Sequence, residues 1–179
     1  MKTLTPVVYL LRCGGRALSA AMQFYTEGIM EQENAALEAF RKEFTDTINQ
    51  LIVYVPYFKK NKASDVSTSY DGKYGKSSLK FPVFDGTLME FIKKAQGTNL
   101  IDRNYPYVYS RNQIKTHEKE MQLISRATIR DTGILKGIFS KYVLEGRTKS
   151  NRWAEGVEYG IYLAVIEKLK EILDFYKNI

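Results

Sequence analysis

From Asp131 towards the C-terminus, apolar residues recur at steps of three and four with one interruption. Ile134, Leu135, Ile138, Phe139, Tyr142 and Val143 form one run, and Val157, Ile161, Ala164, Val165, Leu169, Ile172 and Leu173 form the next. That period is one face of an α-helix. It predicts helices over 131–145 and 151–176, with Gly146 as an αL cap after the first. Upstream, Leu37, Phe40, Phe44, Ile48, Leu51, Ile52 and Val55 predict a helix over 33–55 that Pro56 should end. Three amphipathic stripes must bury their apolar faces, and the long helix is expected to pack on the C-terminal pair.

The segments between these helices read differently. KKNKASDVSTSYDGKYGKSSLK, residues 59–80, lacks periodicity and is rich in Lys, Ser and Gly, which suggests a loop or a weak hairpin around Asp71-Gly72. Lys80 to Phe84 reads as a short strand. Thr87 with Glu90 fits a capping box for a helix through Ala95, with Leu88, Phe91 and Ile92 inward and Gly97 as its stop. In NYPYVYS, residues 104–110, Tyr105, Tyr107 and Tyr109 alternate, as on one face of a strand; Pro106 would restrict it to an edge. Thr116 is placed to cap a helix carrying Met121, Leu123, Ile124 and Ala127. The expected fold is mainly α (α+β): a helical bundle of about five helices with a small two- or three-stranded antiparallel sheet from residues 68–84 and 104–111. Residues 1–29 read as an N-terminal extension and 30–179 as a single globular domain. Met30 would also serve as a start.

Composition narrows the partners. Of 179 residues, 44% are hydrophobic, enough for a core. The formal net charge is +7, unevenly placed: residues 59–152 hold nineteen Lys/Arg against nine Asp/Glu, while both flanks are slightly acidic. A basic middle steers a chain towards anions, of which nucleic acid is the commonest macromolecule. Thirteen tyrosines, with polar tips and flat rings, suit half-buried packing or stacking on bases. The single thiol, Cys13, cannot form an internal disulfide, and one Cys with one His cannot build a metal cluster. A reducing, cytoplasmic setting follows. Val7-Val8-Tyr9-Leu10-Leu11 is too short to span a bilayer and is flanked by Arg12 and Arg16, so no signal and no membrane segment is expected.

The catalytic inventory is thin. The one histidine, His117, falls in the first turn of a polar helix and reads as a surface residue. There is no glycine-rich phosphate loop and no triad whose members can be placed. No cofactor is expected, and an enzyme is disfavoured. The stretch GRTKSNRW, Gly146 to Trp153, is a better anion site. Arg147, Lys149 and Arg152 gather at the start of a predicted helix, where unpaired N–H groups already carry positive charge. Glu155 and Glu158 could instead neutralise them. Trp153 reads as the anchor of the corner. Gly156 and Gly160 lie four apart, and an exposed Gly156/Gly160 face would favour a homodimer.

Several segments carry a resemblance. These are Asp102-Arg103-Asn104-Tyr105 before Tyr107-Val108-Tyr109-Ser110-Arg111, then Ser140-Lys141-Tyr142-Val143, then Gly146, Thr148, Lys149 and Trp153 before Gly160-Ile161; Lys80 to Leu88 joins them. Over about residues 37–175 the chain resembles a family of uncharacterised proteins from gut bacteria, their phages and integrated elements. It departs at Arg147, where a smaller or apolar residue is expected, and over residues 1–29. A basic chain of this size on a mobile element is similar in kind to phage anti-defence proteins, including anti-CRISPR inhibitors of RNA-guided nucleases. What this implies is a protein of the bacterial host cytoplasm that binds a CRISPR effector nuclease, DNA, or both. The expected contacts are Lys59, Lys60, Lys62, Lys73, Lys76, Arg103, Tyr105, Tyr107, Tyr109, Arg111, Arg147, Lys149 and Arg152. The other readings are a nucleic-acid-binding accessory without inhibitory activity and an enzyme acting on a phosphorylated small molecule.

Overall fold

Four-residue spacing of Phe40, Phe44 and Ile48, followed by Leu51, gives α1 (Ala20–Ile52) the buried stripe expected of it. In this computed structural model the described residues are 20–74, 77–149 and 151–175. The chain divides into two units, residues 1–39 and 40–179. In the first, the described residues all belong to α1. The second unit holds every element that follows.

Pro56 does not terminate the long helix. The chain turns at Val53 and Tyr54, and Pro56 sits in the first turn of α2 (Val55–Lys60). A proline there loses no bond, because the first N–H groups of a helix have no partner within it. One further turn, α3 (Ala63–Val66), leads into an antiparallel ribbon of β1 (Ser67–Tyr74) and β2 (Ser77–Phe84). Its ladder runs from Ser67↔Phe84 to Tyr74↔Ser77, straight through Asp71↔Lys80 and Gly72↔Leu79. The hairpin is therefore real, but its turn is not at Asp71-Gly72. One face of the ribbon shows the cross-strand pair Tyr70 and Phe81, rings 4.9 Å apart and largely exposed. At its base Phe84 meets Trp153 edge-on at 5.3 Å.

α4 (Gly86–Gln96) buries Leu88, Phe91, Ile92 and Ala95 and ends at Gly97, as its pattern predicts. Its cap is Asp85 rather than Thr87. The Asp85 carboxylate accepts from Leu88 N–H at 2.7 Å and from Tyr57 Oη at 2.6 Å, while Glu90 pairs with Lys94 one turn on. Next comes α5 (Tyr105–Arg111), a helix where a strand was expected. The sheet accordingly has two strands. Thr116 caps α6 (His117–Arg126) by accepting from Lys119 N–H. A 3₁₀ turn (Ile129–Asp131) then opens α7 (Thr132–Glu145).

The expected last helix is two helices, α8 (Arg152–Glu158) and α9 (Ile161–Phe175). They break at Gly160, whose φ is +66°, a left-handed conformation that side-chain-bearing residues adopt only at a cost. Gly156 serves a close approach, but within the chain: a Cβ there would lie 2.4 Å from Cζ of Tyr162. Gly156 is buried, so the two glycines do not make the exposed face that a homodimer would use.

The core is one cluster, centred on rings from four helices. Phe91 meets Phe58 at 4.7 Å and Tyr162 at 5.0 Å, and Phe139 closes the group. α1 joins α7 through Lys136, which pairs with Glu43 at 2.9 Å and lies over the Phe44 ring. Among the described residues no helix is long and apolar enough to cross a membrane.

Candidate nucleic-acid interface

The three tyrosines of NYPYVYS do not share a face. On a strand, alternate residues point the same way; on a helix, two residues subtend about 200° and four bring a side chain back to the same face. α5 therefore splits the set. Tyr105 and Tyr109 turn inward, edge to face at 6.4 Å, while Tyr107 is 58% exposed. Arg111, one turn beyond Tyr107, is also exposed. Pro106 is what permits the helix, since it occupies the first turn.

Behind α5 the inward tyrosines meet two carboxylates. Tyr109 Oη donates to Glu120 Oε1 at 2.6 Å, and Tyr142 Oη donates to Oε2 at 2.6 Å. Lys141 Nζ completes the set at 2.8 Å from Oε1 and lies 4.4 Å from the centre of the Tyr109 ring. Glu120 is 1% exposed. A buried acid needs such partners, because an unpaired charge in a low-dielectric interior is costly. Burial first, then the bond to Glu120, pushes the hydroxyl pKa of Tyr109 and of Tyr142 far up. Both remain neutral donors at any physiological pH. The sequence does carry a signal for Glu120: it shares a helical stripe with buried Ile124 and Ala127, and an acid on such a stripe calls for a buried partner.

The second carboxylate, Glu145, ends α7 and governs the Gly146–Trp153 turn. It accepts from Lys149 Nζ at 2.8 Å, Arg152 Nε at 2.9 Å and Tyr105 Oη at 3.2 Å. Arg152 also pairs with Glu155 and lies over the Tyr142 ring. Burial works to raise the Glu145 pKa, yet the Lys149 hydrogen bond and the charges of Arg152 and Lys149 outweigh it and hold the carboxyl below its ordinary range. Arg147 donates to the Gln96 side chain. Two of the three cations of this turn, Lys149 and Arg152, are thus paired with Glu145 and Glu155. Glu158, the other candidate, instead accepts from Ala63 N–H.

Gly146 is needed at this corner, although not for the reason its position suggests. Its φ is −62°, ordinary helical backbone rather than αL. Space is the constraint: a Cβ would lie 2.1 Å from Cδ1 and Nε1 of Trp153. Trp153 Nε1 donates to Val143 O at 3.0 Å, so the indole anchors the corner as expected. Ser140 does the same for the loop before α5, accepting from Asp102 N–H at 2.7 Å and donating to Leu100 O at 3.0 Å. Gly137 gives α5 its close seat on α7, where a Cβ would come within 2.6 Å of Val108.

In front of α5 lies a groove of about 400 Å³. Tyr107, Arg111 and Asn112 form one wall; Arg130, Gly133 and Ile134, from the 3₁₀ turn and the start of α7, form the other. Asp131 also lines it, with Oδ2 committed to Thr128 N–H at 2.9 Å and Thr128 Oγ1 at 2.8 Å. Arg103 and Lys115, which flank α5 in the chain, are exposed and add charge. Asn112, Arg130 and Gly133 carry no signal in the sequence, and Ile134 reads there only as part of an apolar helix stripe, since tertiary packing is what brings the 3₁₀ turn beside α5.

The other expected contacts are dispersed over different elements. Lys59 pairs with Glu167 of α9 at 2.7 Å. Lys60 and Lys62 are exposed around the α2–α3 junction. Lys73 is a position of β1, opposite Ser78. Lys76 lies outside the described residues. His117 is on the surface, stacked on Tyr159 at 4.3 Å. Among the described residues no group of three His, Cys, Asp or Glu side chains is placed to hold a metal ion. Comparison with known proteins found no family model, no curated protein and no solved structure that matches this chain.

Proposed function

We propose that this chain is a non-enzymatic protein that binds single-stranded nucleic acid along the outer face of α5. In the mobile-element setting its sequence resembles, it would serve anti-defence, inhibiting an RNA-guided CRISPR effector nuclease by holding DNA that the effector must hold. The observation that carries the reading is the pair Tyr107 and Arg111, one turn apart and both exposed. A flat ring beside a guanidinium offers stacking and phosphate contact together, and only an unstacked base can use the ring. Arg103 and Lys115 would extend the phosphate track. The turn cations are a poorer choice, since Glu145 and Glu155 already hold Lys149 and Arg152.

Fluorescence anisotropy with a labelled single strand tests this. Three phosphate contacts predict a log–log salt slope of about −2, so affinity should fall roughly 20-fold between about 50 and about 200 mM salt. Arg111→Ala should weaken binding and make the slope shallower by about 0.7. A nuclease assay run beside it should show inhibition that weakens in step with Arg111→Ala. Absence of salt-dependent binding would overturn the reading. Binding without inhibition would leave a nucleic-acid-binding accessory protein.

A further inference from the structure

The groove beside Tyr107 has a shape that the α5 face alone does not require. We propose that it receives one unstacked base of the bound strand, an inference that rests on the nucleic-acid reading above. Its volume of about 400 Å³ falls in the range of small-ligand sites. The chemistry of its walls suits a nucleobase with an attached phosphate. Tyr107 supplies an exposed ring, and Val108 and Ile134 supply apolar surface to the lining. Asn112 donates through Nδ2 to Val108 O at 2.8 Å, which fixes the amide and leaves Oδ1 to accept from a base amino group. Arg111, exposed beside the groove, is placed for the phosphate that follows the base.

The walls are also held rigid, as a binding site requires. Val108 is locked against Gly137 of α7, where no Cβ fits. The opposite wall is fixed by the Thr128–Asp131 capping box, in which each residue's side chain bonds the other's backbone. Gly133 lines the groove. It sits in the first turn of α7, and a Cβ built there meets nothing within 4 Å. A glycine is unfavourable in a helix interior, and here it leaves one edge of the groove without a side chain.

Gly133→Leu adds bulk at this edge of the groove from a Cβ that itself meets nothing within 4 Å, and a urea midpoint close to that of the native protein checks that the fold holds. Two probes are compared by anisotropy: a short oligodeoxycytidine and a strand of equal length made of abasic sites. The native protein should bind the first about tenfold more tightly, the difference being base stacking. Gly133→Leu should bring the two affinities together while leaving the salt slope unchanged. Tyr107→Ala, at an exposed position that does not bear on folding, should do the same. If Gly133→Leu keeps the tenfold preference, no base enters the groove and the inference is overturned, although strand binding stands; loss of the preference in Tyr107→Ala alone would place the base on the exposed ring and not in the groove. Competition by free deoxycytidine monophosphate at concentrations near that of the strand would also overturn it, because the site would then be one for a free nucleotide. If the native protein binds neither strand, the nucleic-acid reading itself fails and this inference with it.

Discussion

Tyr142 and Glu120 are joined by a hydrogen bond of 2.6 Å from Oη to Oε2, in which both partners are almost wholly buried. With Tyr109 and Lys141 on the other oxygen, the carboxylate accepts three bonds from α5 and α7 while standing on α6. It therefore ties α6 to α5 and α7, the two helices whose residues line the groove. Removing one partner of a buried ionic network leaves the others desolvated and unpaired, which costs about 3–5 kcal/mol. Glu120→Ala should lower the stability measured by urea unfolding by that amount. Glu120→Gln keeps an acceptor and should lose less. Equal losses for the two would mean that packing, not the polar network, is what Glu120 provides.

Glu145 makes stability depend on acidity. Its pKa is lowered in the folded protein, so it contributes stability that is present above its unfolded value, about 4.3, and disappears as pH falls through the folded value. Glu145→Gln has the shape of the protonated acid. Unfolding curves of the variant and the native protein should differ at neutral pH and converge only once pH has fallen below the lowered folded value. A gap that persists at acid pH would show that the charge on Glu145 contributes nothing.

The legible parts of this fold are those in which a local period decides burial. The apolar stripes of α1, α4, α6 and α7 could be read because a helix repeats every three to four residues whatever it packs against. Tyr105-Pro106-Tyr107-Val108-Tyr109 could not, because strict alternation also fits a short helix whose two faces both carry tyrosine. Pro56 and Pro106 misled in the same way: each marks a helix start, where a missing N–H is harmless, rather than a helix end or a strand edge. Of the acids at the turn, Glu155 reads as a partner in the sequence and does pair with Arg152, an i, i+3 contact, whereas Glu145 escapes that reading although it stands four residues before Lys149. The groove was not readable, since its second wall arrives from twenty residues away by packing of α5 on α7.

Tyr162 carries a polar atom that no described residue bonds. Its hydroxyl is fully buried and, among the described residues, has no hydrogen-bond partner. Burial pushes its pKa well above the ordinary value, so it stays neutral. A buried hydroxyl without a partner costs more than the hydrogen that would replace it. Tyr162→Phe should therefore raise the unfolding free energy by about 1 kcal/mol with the ring cluster intact. Gly156→Ala, which drives a Cβ into the same ring, should lower it by about 1–3 kcal/mol. A loss of stability in Tyr162→Phe would mean that the hydroxyl is satisfied in solution.

The Gly146–Trp153 corner yields a prediction with an optical readout. Gly146 has helical backbone angles, so alanine would be favoured there if conformation alone mattered. The added Cβ, however, would fall 2.1 Å from the indole, whose N–H bonds Val143 O and whose ring meets Phe84. The indole has to move, and with it the end of α7 and the base of the ribbon. Gly146→Ala should cost about 1–3 kcal/mol in chemical unfolding. Trp153 is the chain's sole tryptophan, so its emission should shift to the red as the ring gains contact with water. The displaced corner also carries Glu145, and Tyr105 would lose a hydrogen bond at the start of α5. If Gly146→Ala is as stable as the native protein with unchanged emission, the indole is not seated against Gly146 and the account of this corner is wrong.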